Sequence, residues 1–161
     1  MTSGLSKAYG LPGLRVGWMA GPIDTIQEIW PYHDYTTISV SALSDKLARI
    51  VLEPENRNNI LNRTRKIINN NYPILDEWFR KQGDIFKYIP PKAGAIVYPH
   101  YSLDINSTVL IDKLRQEKKV LLVPGDHFEM DRYIRFGFGE TEDYLRKALD
   151  RVEEAINEIR K

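Results

Sequence analysis

The most informative part of the chain is a glycine-rich segment near its N-terminus. Residues 6–18 read Ser6-Lys7-Ala8-Tyr9-Gly10-Leu11-Pro12-Gly13-Leu14-Arg15-Val16-Gly17-Trp18. Four glycines and one proline fall within the fourteen positions from Gly4 to Gly17, and that density excludes a helix through most of the segment. Glycine in these numbers indicates that the backbone approaches another group closely or adopts a positive φ.

Two cations of this segment, Lys7 and Arg15, indicate an anion site. If the loop folds back on itself, the two side chains and several backbone N–H groups converge on one small volume, which suits a phosphate. A lysine beside a phosphate site is also the arrangement that Schiff-base chemistry with a phosphorylated aldehyde cofactor requires. From its residue type alone, a solvated surface lysine is the better interpretation of Lys7.

The composition of the chain restricts its function. Its 161 residues include 23 Lys+Arg and 22 Asp+Glu, a formal net charge of +1, which argues against a nucleic-acid or anionic-membrane binder. This length suffices for one hydrophobic core and is too short for two full domains. The absence of cysteine excludes disulfides, thiolate catalysis and cysteine metal sites. Because the sequence shows no secretory or membrane-spanning segment, we expect a cytoplasmic protein.

Hydrophobic periodicity predicts a chain of mixed helices and short strands. The strongest helical pattern covers Glu55 to Gln82, and Pro73 is expected to kink or divide it. Pro22 opens a helix that we expect to stop at Pro31. From residue 84 onwards short strands alternate with helices, the last helix running from about Thr141 to Arg160. The fold class is therefore α/β, or α+β with a small mixed sheet.

The order of residues 6–18 resembles the cofactor-lysine signature of the class I/II aminotransferases, the pyridoxal-phosphate (PLP) enzymes of the aspartate-aminotransferase fold type, fold type I. The resemblance implies a PLP cofactor. It implies that Lys7 is the catalytic lysine, which binds the cofactor aldehyde and moves the substrate α-proton, and that Arg15 holds the cofactor phosphate. Family members commonly place a phosphate-binding serine where this chain has Gly4, so Ser3 and Ser6 are the candidates for that role.

A second match to the same family lies near the other end of the chain. Residues 120–128 and 133–138 are similar to the family's small-domain strand, Pro-Gly turn and arginine strand. The resemblance implies that Arg135 binds the substrate α-carboxylate, for which a planar guanidinium is well suited. A strand arginine that extends to the surface is the alternative. The three histidines, His33, His100 and His127, have no metal-ligand spacing, so we predict no metal site.

The resemblance also implies a domain organisation that corresponds to the family's C-terminal half. Residues 1–54 would be a remnant of the large PLP-binding domain with its last strands, residues 55–83 a long connecting helix, and residues 84–161 the small C-terminal α/β domain. The family's N-terminal half supplies an aspartate for the pyridinium nitrogen and an aromatic that stacks on the ring. We therefore expect a truncated enzyme or one half of a split enzyme, inactive alone.

The implied function is amino-group transfer between an amino acid and a 2-oxo acid, with these small molecules as substrates. The implied partners are a second copy, because residues 32–39 occupy a stretch that often reaches the adjacent subunit in relatives, or a chain that supplies the N-terminal half. Two alternatives stay open: a catalytically silent α/β interaction domain derived from such an enzyme, and a simple phosphate- or nucleotide-binding module. The lysine motif does not separate transaminases from related lyases or synthases.

Overall fold

The computed structural model describes residues 1–160. They form two compact units, residues 1–65 and the residues from Lys66 onwards. One long helix contributes its first turns to the first unit and the rest to the second. The three-part division expected from the family stays a prediction.

The first unit contains a two-stranded antiparallel ribbon and helices. Its small core consists of the buried residues Leu5, Tyr9 and Ala48, with partly buried apolar side chains around them. The elements are β1 (Thr2–Gly4), β2 (Gly17–Met19), α1 (Ile23–Thr36), α2 (Ala42–Leu52) and the beginning of α3 (Pro54–Lys81).

The second unit combines short antiparallel strands with the remainder of α3 and two further helices. β4, β7 and β6 form a three-stranded sheet in that order, and β3 pairs with β5. Every pair is antiparallel, which fits the α+β form of the predicted fold class. The elements are β3 (Phe86–Lys87), β4 (Ile96–Val97), β5 (His100–Tyr101), α4 (Ser107–Lys113), β6 (Val123–Pro124), β7 (Ile134–Gly137) and α5 (Glu142–Ile159).

The core of the second unit lies on one face of this sheet. α5 places apolar residues at helical spacing on its inward face, and α3 adds Trp78 and Phe79. The Phe79 ring lies 5.2 Å from that of Phe86 and 5.3 Å from that of Phe136, centroid to centroid. Aromatic pairs at these distances stabilise a core beyond the area that they bury. The second unit therefore has a hydrophobic core of its own.

The prediction that α1 stops at Pro31 is wrong, and α3 is not divided at Pro73. α1 continues through Pro31 to Thr36, and α3 continues through Pro73 to Lys81. An internal proline leaves the carbonyl four residues earlier without its helical N–H donor. Those carbonyls belong to Gln27 and Asn69, which are both exposed, so water can take the place of the donor. None of the helices in residues 1–160 is long and apolar enough to cross a membrane.

Candidate functional site

The predicted lysine loop is a closed hairpin in the first unit. We call residues 2–19 the lysine hairpin. β1 and β2 pair with Gly4 opposite Gly17, and the Leu5 N–H donates to the Val16 carbonyl at 3.0 Å. A Cβ added to Gly4 would lie 3.1 Å from the Val16 oxygen, and one added to Gly17 would lie 3.1 Å from the Ser3 oxygen. The two strands thus approach more closely than side chains would comfortably allow, which explains both glycines.

The tip of the hairpin is fixed by buried residues and by turns. Leu5 is fully buried and Tyr9 nearly so. The Gly10 N–H donates to the Lys7 carbonyl at 2.9 Å, and the Leu11 N–H donates to the Leu5 carbonyl at 2.9 Å. Gly10 has a φ of 66°, a conformation that glycine adopts readily. The backbone that carries Lys7 is therefore ordered by the local sequence.

The Lys7 side chain is exposed at this fixed position. Its ammonium group makes no hydrogen bond or ion pair with any other residue between 1 and 160. Such an amine is accessible to an aldehyde in solution, and no internal contact must break before it reacts. The structure therefore places the Lys7 side chain, exposed, on an ordered turn, and its chemical role stays a prediction.

Arg15 lies in the same loop, one residue before Val16, whose carbonyl accepts the Leu5 N–H. Its φ is 53°, in the left-handed region, which costs an L-residue about 1–2 kcal/mol and here ends the short 3₁₀ turn Pro12–Leu14. The exposed guanidinium donates from Nη1 to the Pro12 carbonyl at 3.0 Å. Lys7 follows Leu5 by two positions and Arg15 directly precedes Val16, so both residues are close in sequence to the Leu5–Val16 hydrogen bond that joins the two sides of the hairpin.

The two candidate serines occupy different places in the hairpin. Ser3 lies in β1, is exposed and pairs with Trp18 across the ribbon. It lines an open hollow of about 480 Å³ whose other lining residues come from β1, β2 and α1. Ser6 is half-buried in the turn that precedes Lys7. Both roles stay predictions.

Two arginines of α3 hold the hairpin in place, and the sequence analysis missed them. The Arg57 Nε donates to the Tyr9 hydroxyl at 3.2 Å, and the Arg63 Nη2 donates to the Tyr9 carbonyl at 3.5 Å. The basic run that contains Arg63 looks like a solvated helix face, and no local pattern links it to Tyr9. The only available signal was the high arginine content of that part of α3.

Arg135 lies in β7 of the second unit, on the outer face of the sheet. The ladder between β4 and β7 pairs Ile96 with Gly137 and continues to a bridge between His100 and Tyr133. This register places Tyr98 directly opposite Arg135 and on the same face of the sheet. The alternate residues of both strands, such as Val97 and Phe136, are buried in the core.

An open groove of about 500 Å³ lies at this pair of residues. We call it the arginine groove, and it is lined by Ile96, Tyr98, Phe128, Met130 and Arg135. Arg135 is half-buried. Its guanidinium forms no ion pair or hydrogen bond with any of the residues described. The groove is therefore a concave apolar surface with a single, unneutralised cation.

The segment that carries Phe128 and Met130 is attached to the N-terminus of α4. Asp126 accepts a hydrogen bond from the Thr108 hydroxyl at 2.8 Å, and its own N–H donates to the Ser107 hydroxyl at 3.0 Å. Asp131 accepts from the Ser107 N–H at 2.8 Å. The hydrogen bond from Thr108 lowers the pKa of the Asp126 carboxyl, and the one from the Ser107 N–H lowers the pKa of Asp131. Both contacts are non-local, so the sequence did not predict them.

These lowered pKa values predict an acid-sensitive second unit. A carboxyl group whose pKa is lower in the folded state stabilises that state above its unfolded pKa, and this stabilisation is lost as the pH falls through the folded pKa. We expect the free energy of unfolding to decrease on acidification and Asp126→Asn to reduce the decrease. Denaturant unfolding at a series of pH values from neutral to acidic measures this. Asp150→Asn, at an exposed position of α5, is the control, and an equal reduction by both variants would contradict the assignment.

Among residues 1–160, no three His, Asp or Glu side chains come together as metal ligands. The His100 ring instead makes an edge contact with Tyr133, with 5.2 Å between centroids. The residues that stand out for chemistry are therefore those of the lysine hairpin and of the arginine groove.

Comparisons with known proteins match nearly the whole chain to one family. The sequence model of the family described as aminotransferase class I and II matches residues 1–152. Capreomycidine synthase of Streptomyces vinaceus is 32% identical over 152 residues, which are 94% of this chain and 39% of that protein. Aspartate aminotransferase of Thermotoga maritima is 28% identical over 155 residues, 96% of this chain and 39% of that protein.

A solved structure of a similar protein has the same fold as this chain. The crystal structure of a PLP-dependent aminotransferase from Streptococcus suis 89-1591 superposes with a TM-score of 0.93 at 33% sequence identity. The match covers 99% of this chain and 42% of that one. The chain thus spans about two fifths of the length of the relatives that it matches.

Proposed function

The chain belongs to the aminotransferase class I and II family, and from this membership we propose that it carries the cofactor lysine and the substrate-binding arginine of a PLP-dependent aminotransferase. The resemblance found in the sequence and the predicted fold class are confirmed. Because the chain spans about two fifths of its relatives, we propose amino transfer between an amino acid and a 2-oxo acid for the assembly that contains it. We expect little turnover from this chain alone.

The observation that carries the proposal is the exposed, unpaired amine of Lys7 on an ordered hairpin. This residue would bind the cofactor aldehyde covalently and, once released by the substrate, would move a proton at the substrate α-carbon. PLP, when bound, supplies the electron sink that makes this α-proton removable. The turn that fixes the Lys7 backbone would keep the amine within the reach of one side chain through both steps.

Arg15 and a serine hydroxyl suit the cofactor phosphate. Within residues 1–160, the guanidinium of Arg15 hydrogen-bonds only to the neutral carbonyl of Pro12, and a doubly charged phosphate is a stronger acceptor. Ser6, next to Lys7 in the chain, and Ser3, in β1, are the two candidates for an additional hydroxyl donor. These donors are of the types that an aldehyde joined to a phosphate would use.

Arg135 would bind the substrate α-carboxylate. A guanidinium offers two parallel N–H donors to a carboxylate. Arg135 is half-buried and unpaired among the described residues, so a carboxylate would neutralise it without displacing a partner.

The phosphate assignment is tested by comparing PLP with pyridoxal, which has the aldehyde and lacks the phosphate. A charge-assisted hydrogen bond contributes about 1.5–3 kcal/mol, and about 1.4 kcal/mol is a factor of ten in affinity. Titration followed by the visible absorbance of the protein-bound cofactor is therefore expected to show PLP binding at least tenfold more tightly. Arg15→Gln should remove most of that difference.

Arg49→Gln is the matched control for this titration, since Arg49 is an exposed arginine of α2 in the same unit. The control should retain the preference for PLP. Equal affinity for PLP and pyridoxal in the unmodified chain would contradict the phosphate assignment, as would an equal loss in both variants.

We propose that another polypeptide covers part of the first unit, either a second copy of this chain or a chain that supplies the family's N-terminal half. The support is a set of strongly exposed apolar residues in this unit, a pattern typical of interaction surfaces; it includes Ile23, Trp30, Tyr35, Ile38 and Leu43. Sedimentation velocity distinguishes the two partners, because only the first self-associates. A cytoplasmic location also stays a prediction.

A further inference from the structure

Arg135 differs from the other partly buried cations of the second unit. Lys113 pairs with Glu117 at 2.7 Å, and Lys118 pairs with Glu158 at 2.5 Å. Arg135 is similarly half-buried and has no carboxylate partner within residues 1–160. Because a partly desolvated cation is costly without an anion nearby, the groove favours a ligand that brings a negative charge.

The walls of the arginine groove are apolar. Phe128 is 52% exposed, Ile96 42% and Met130 39%, so three large exposed hydrophobic side chains line one concave surface. Arg135 is its only charged residue. Once a carboxylate is bound there, the remaining surface can contribute only apolar contact.

Tyr98 adds an aromatic wall in a fixed orientation. Its ring stacks on Tyr133 with 5.3 Å between centroids and an interplanar angle of 27°, and it meets the edge of Phe128 at 5.9 Å. The Tyr98 hydroxyl is buried without a hydrogen-bond partner in the described part of the chain. The surface that Tyr98 offers to the groove is therefore mainly its ring.

We infer that the arginine groove selects monocarboxylic acids with an aromatic or aliphatic body over dicarboxylic acids. This inference rests on the proposed function for the role of Arg135 as the carboxylate ligand, and it adds the substrate class. A second carboxylate in this groove would lose water against apolar walls and would gain no cation in return. An apolar body in the same place would bury its own surface and that of the walls.

An adjoining groove could instead bind the second carboxylate of a dicarboxylic acid. It has a volume of about 920 Å³, shares Ile96, Tyr98 and Met130 with the arginine groove, and carries Lys87 and Lys92. A longer dicarboxylate could reach these lysines. Both are exposed, and fully solvated cations contribute little to binding. The apolar contacts in the arginine groove are therefore expected to contribute more to binding than these two lysines, which favours the apolar monocarboxylate.

The test uses the whole chain without PLP and four probes: 3-phenylpropionate, 4-methylpentanoate, glutarate and succinate. Binding is measured at fixed ionic strength by calorimetry or by NMR shifts. We expect 3-phenylpropionate and 4-methylpentanoate to bind at least tenfold more tightly than either dicarboxylate. Arg135→Gln should weaken every probe, and Phe128→Ala should weaken the apolar acids several-fold while leaving the dicarboxylates unchanged.

Leu121→Ala is the matched control, because Leu121 is an apolar residue of the second unit that is 76% exposed and lies outside the groove lining. Thermal melting of each variant verifies its fold. The inference is overturned if a dicarboxylate binds as tightly as the apolar acids, if Phe128→Ala leaves the preference intact, or if no probe binds. Since PLP plays no part here, failure of the Lys7 chemistry would leave a positive result standing, and the reverse also holds.

Discussion

Replacing Gly125 by alanine is expected to destabilise the second unit severely. A Cβ at this position would lie 1.9 Å from the Met130 carbonyl oxygen and 2.7 Å from that of Tyr133. Both atoms belong to the backbone, so neither can move as a flexible side chain can. The same carbonyl of Tyr133 accepts the Gly125 N–H at 2.8 Å, and the Met130 N–H donates to the Gly125 carbonyl at 3.0 Å. Relieving the overlap therefore breaks the hydrogen bonds that form this turn.

The expected loss of stability is at least about 4 kcal/mol, above the roughly 1–3 kcal/mol usual for overpacking because the clashing atoms are fixed backbone oxygens, against a total of roughly 5–15 kcal/mol for a typical domain. Denaturant unfolding followed by circular dichroism measures it. Gly137→Ala is the matched control, because a Cβ there meets no atom within 4 Å and alanine is compatible with a strand. A Gly125→Ala protein with the same midpoint as the control would contradict the turn geometry.

Lys7→Arg is expected to abolish covalent PLP binding while leaving the fold unchanged. The Lys7 side chain is exposed, and surface substitutions away from structural contacts change stability by about 0.5 kcal/mol or less. Arginine keeps the positive charge, and its guanidinium remains protonated and so cannot serve as the amine nucleophile. The loss of the visible absorbance band would therefore report the missing amine alone.

Lys46→Arg controls for a general effect of removing one lysine, since Lys46 is also exposed and lies in α2 of the same unit. It should retain the band at the intensity of the unmodified chain. The melting temperatures of the two variants should agree with that of the parent. A band that persists in Lys7→Arg would show that PLP reacts elsewhere.

Local sequence patterns were sufficient for the elements that carry the candidate residues. The density of glycines from Gly4 to Gly17 predicts that the backbone approaches another group closely, and β1 and β2 do so at Gly4 and Gly17, although their pairing was not predicted. The long apolar stripe predicts a helix over Glu55 to Gln82, and α3 covers Pro54–Lys81. Alternation of apolar and polar residues around Arg135 predicts β7. In each case the sequence pattern lies within the structural element that it predicts or within a few residues of it.

Contacts between distant parts of the chain were not predictable in this way. Tyr9 and Arg57 are 48 positions apart and Thr108 and Asp126 are 18 apart, so no local pattern connects either pair. The placement of Tyr98 opposite Arg135 depends on the register of two strands, which is set by packing of the buried face. The two prolines that fail to end helices likewise depend on solvent exposure, which a single sequence does not reveal.

The central claim is that Lys7 is the residue of this chain that captures PLP. The most direct measurement is reduction of the PLP-treated protein with borohydride, followed by peptide mapping by mass spectrometry to locate the modified lysine. We expect the modification to lie predominantly on Lys7 at PLP concentrations comparable to that of the protein. Modification spread over many lysines, or concentrated on a lysine outside the hairpin, would contradict the claim.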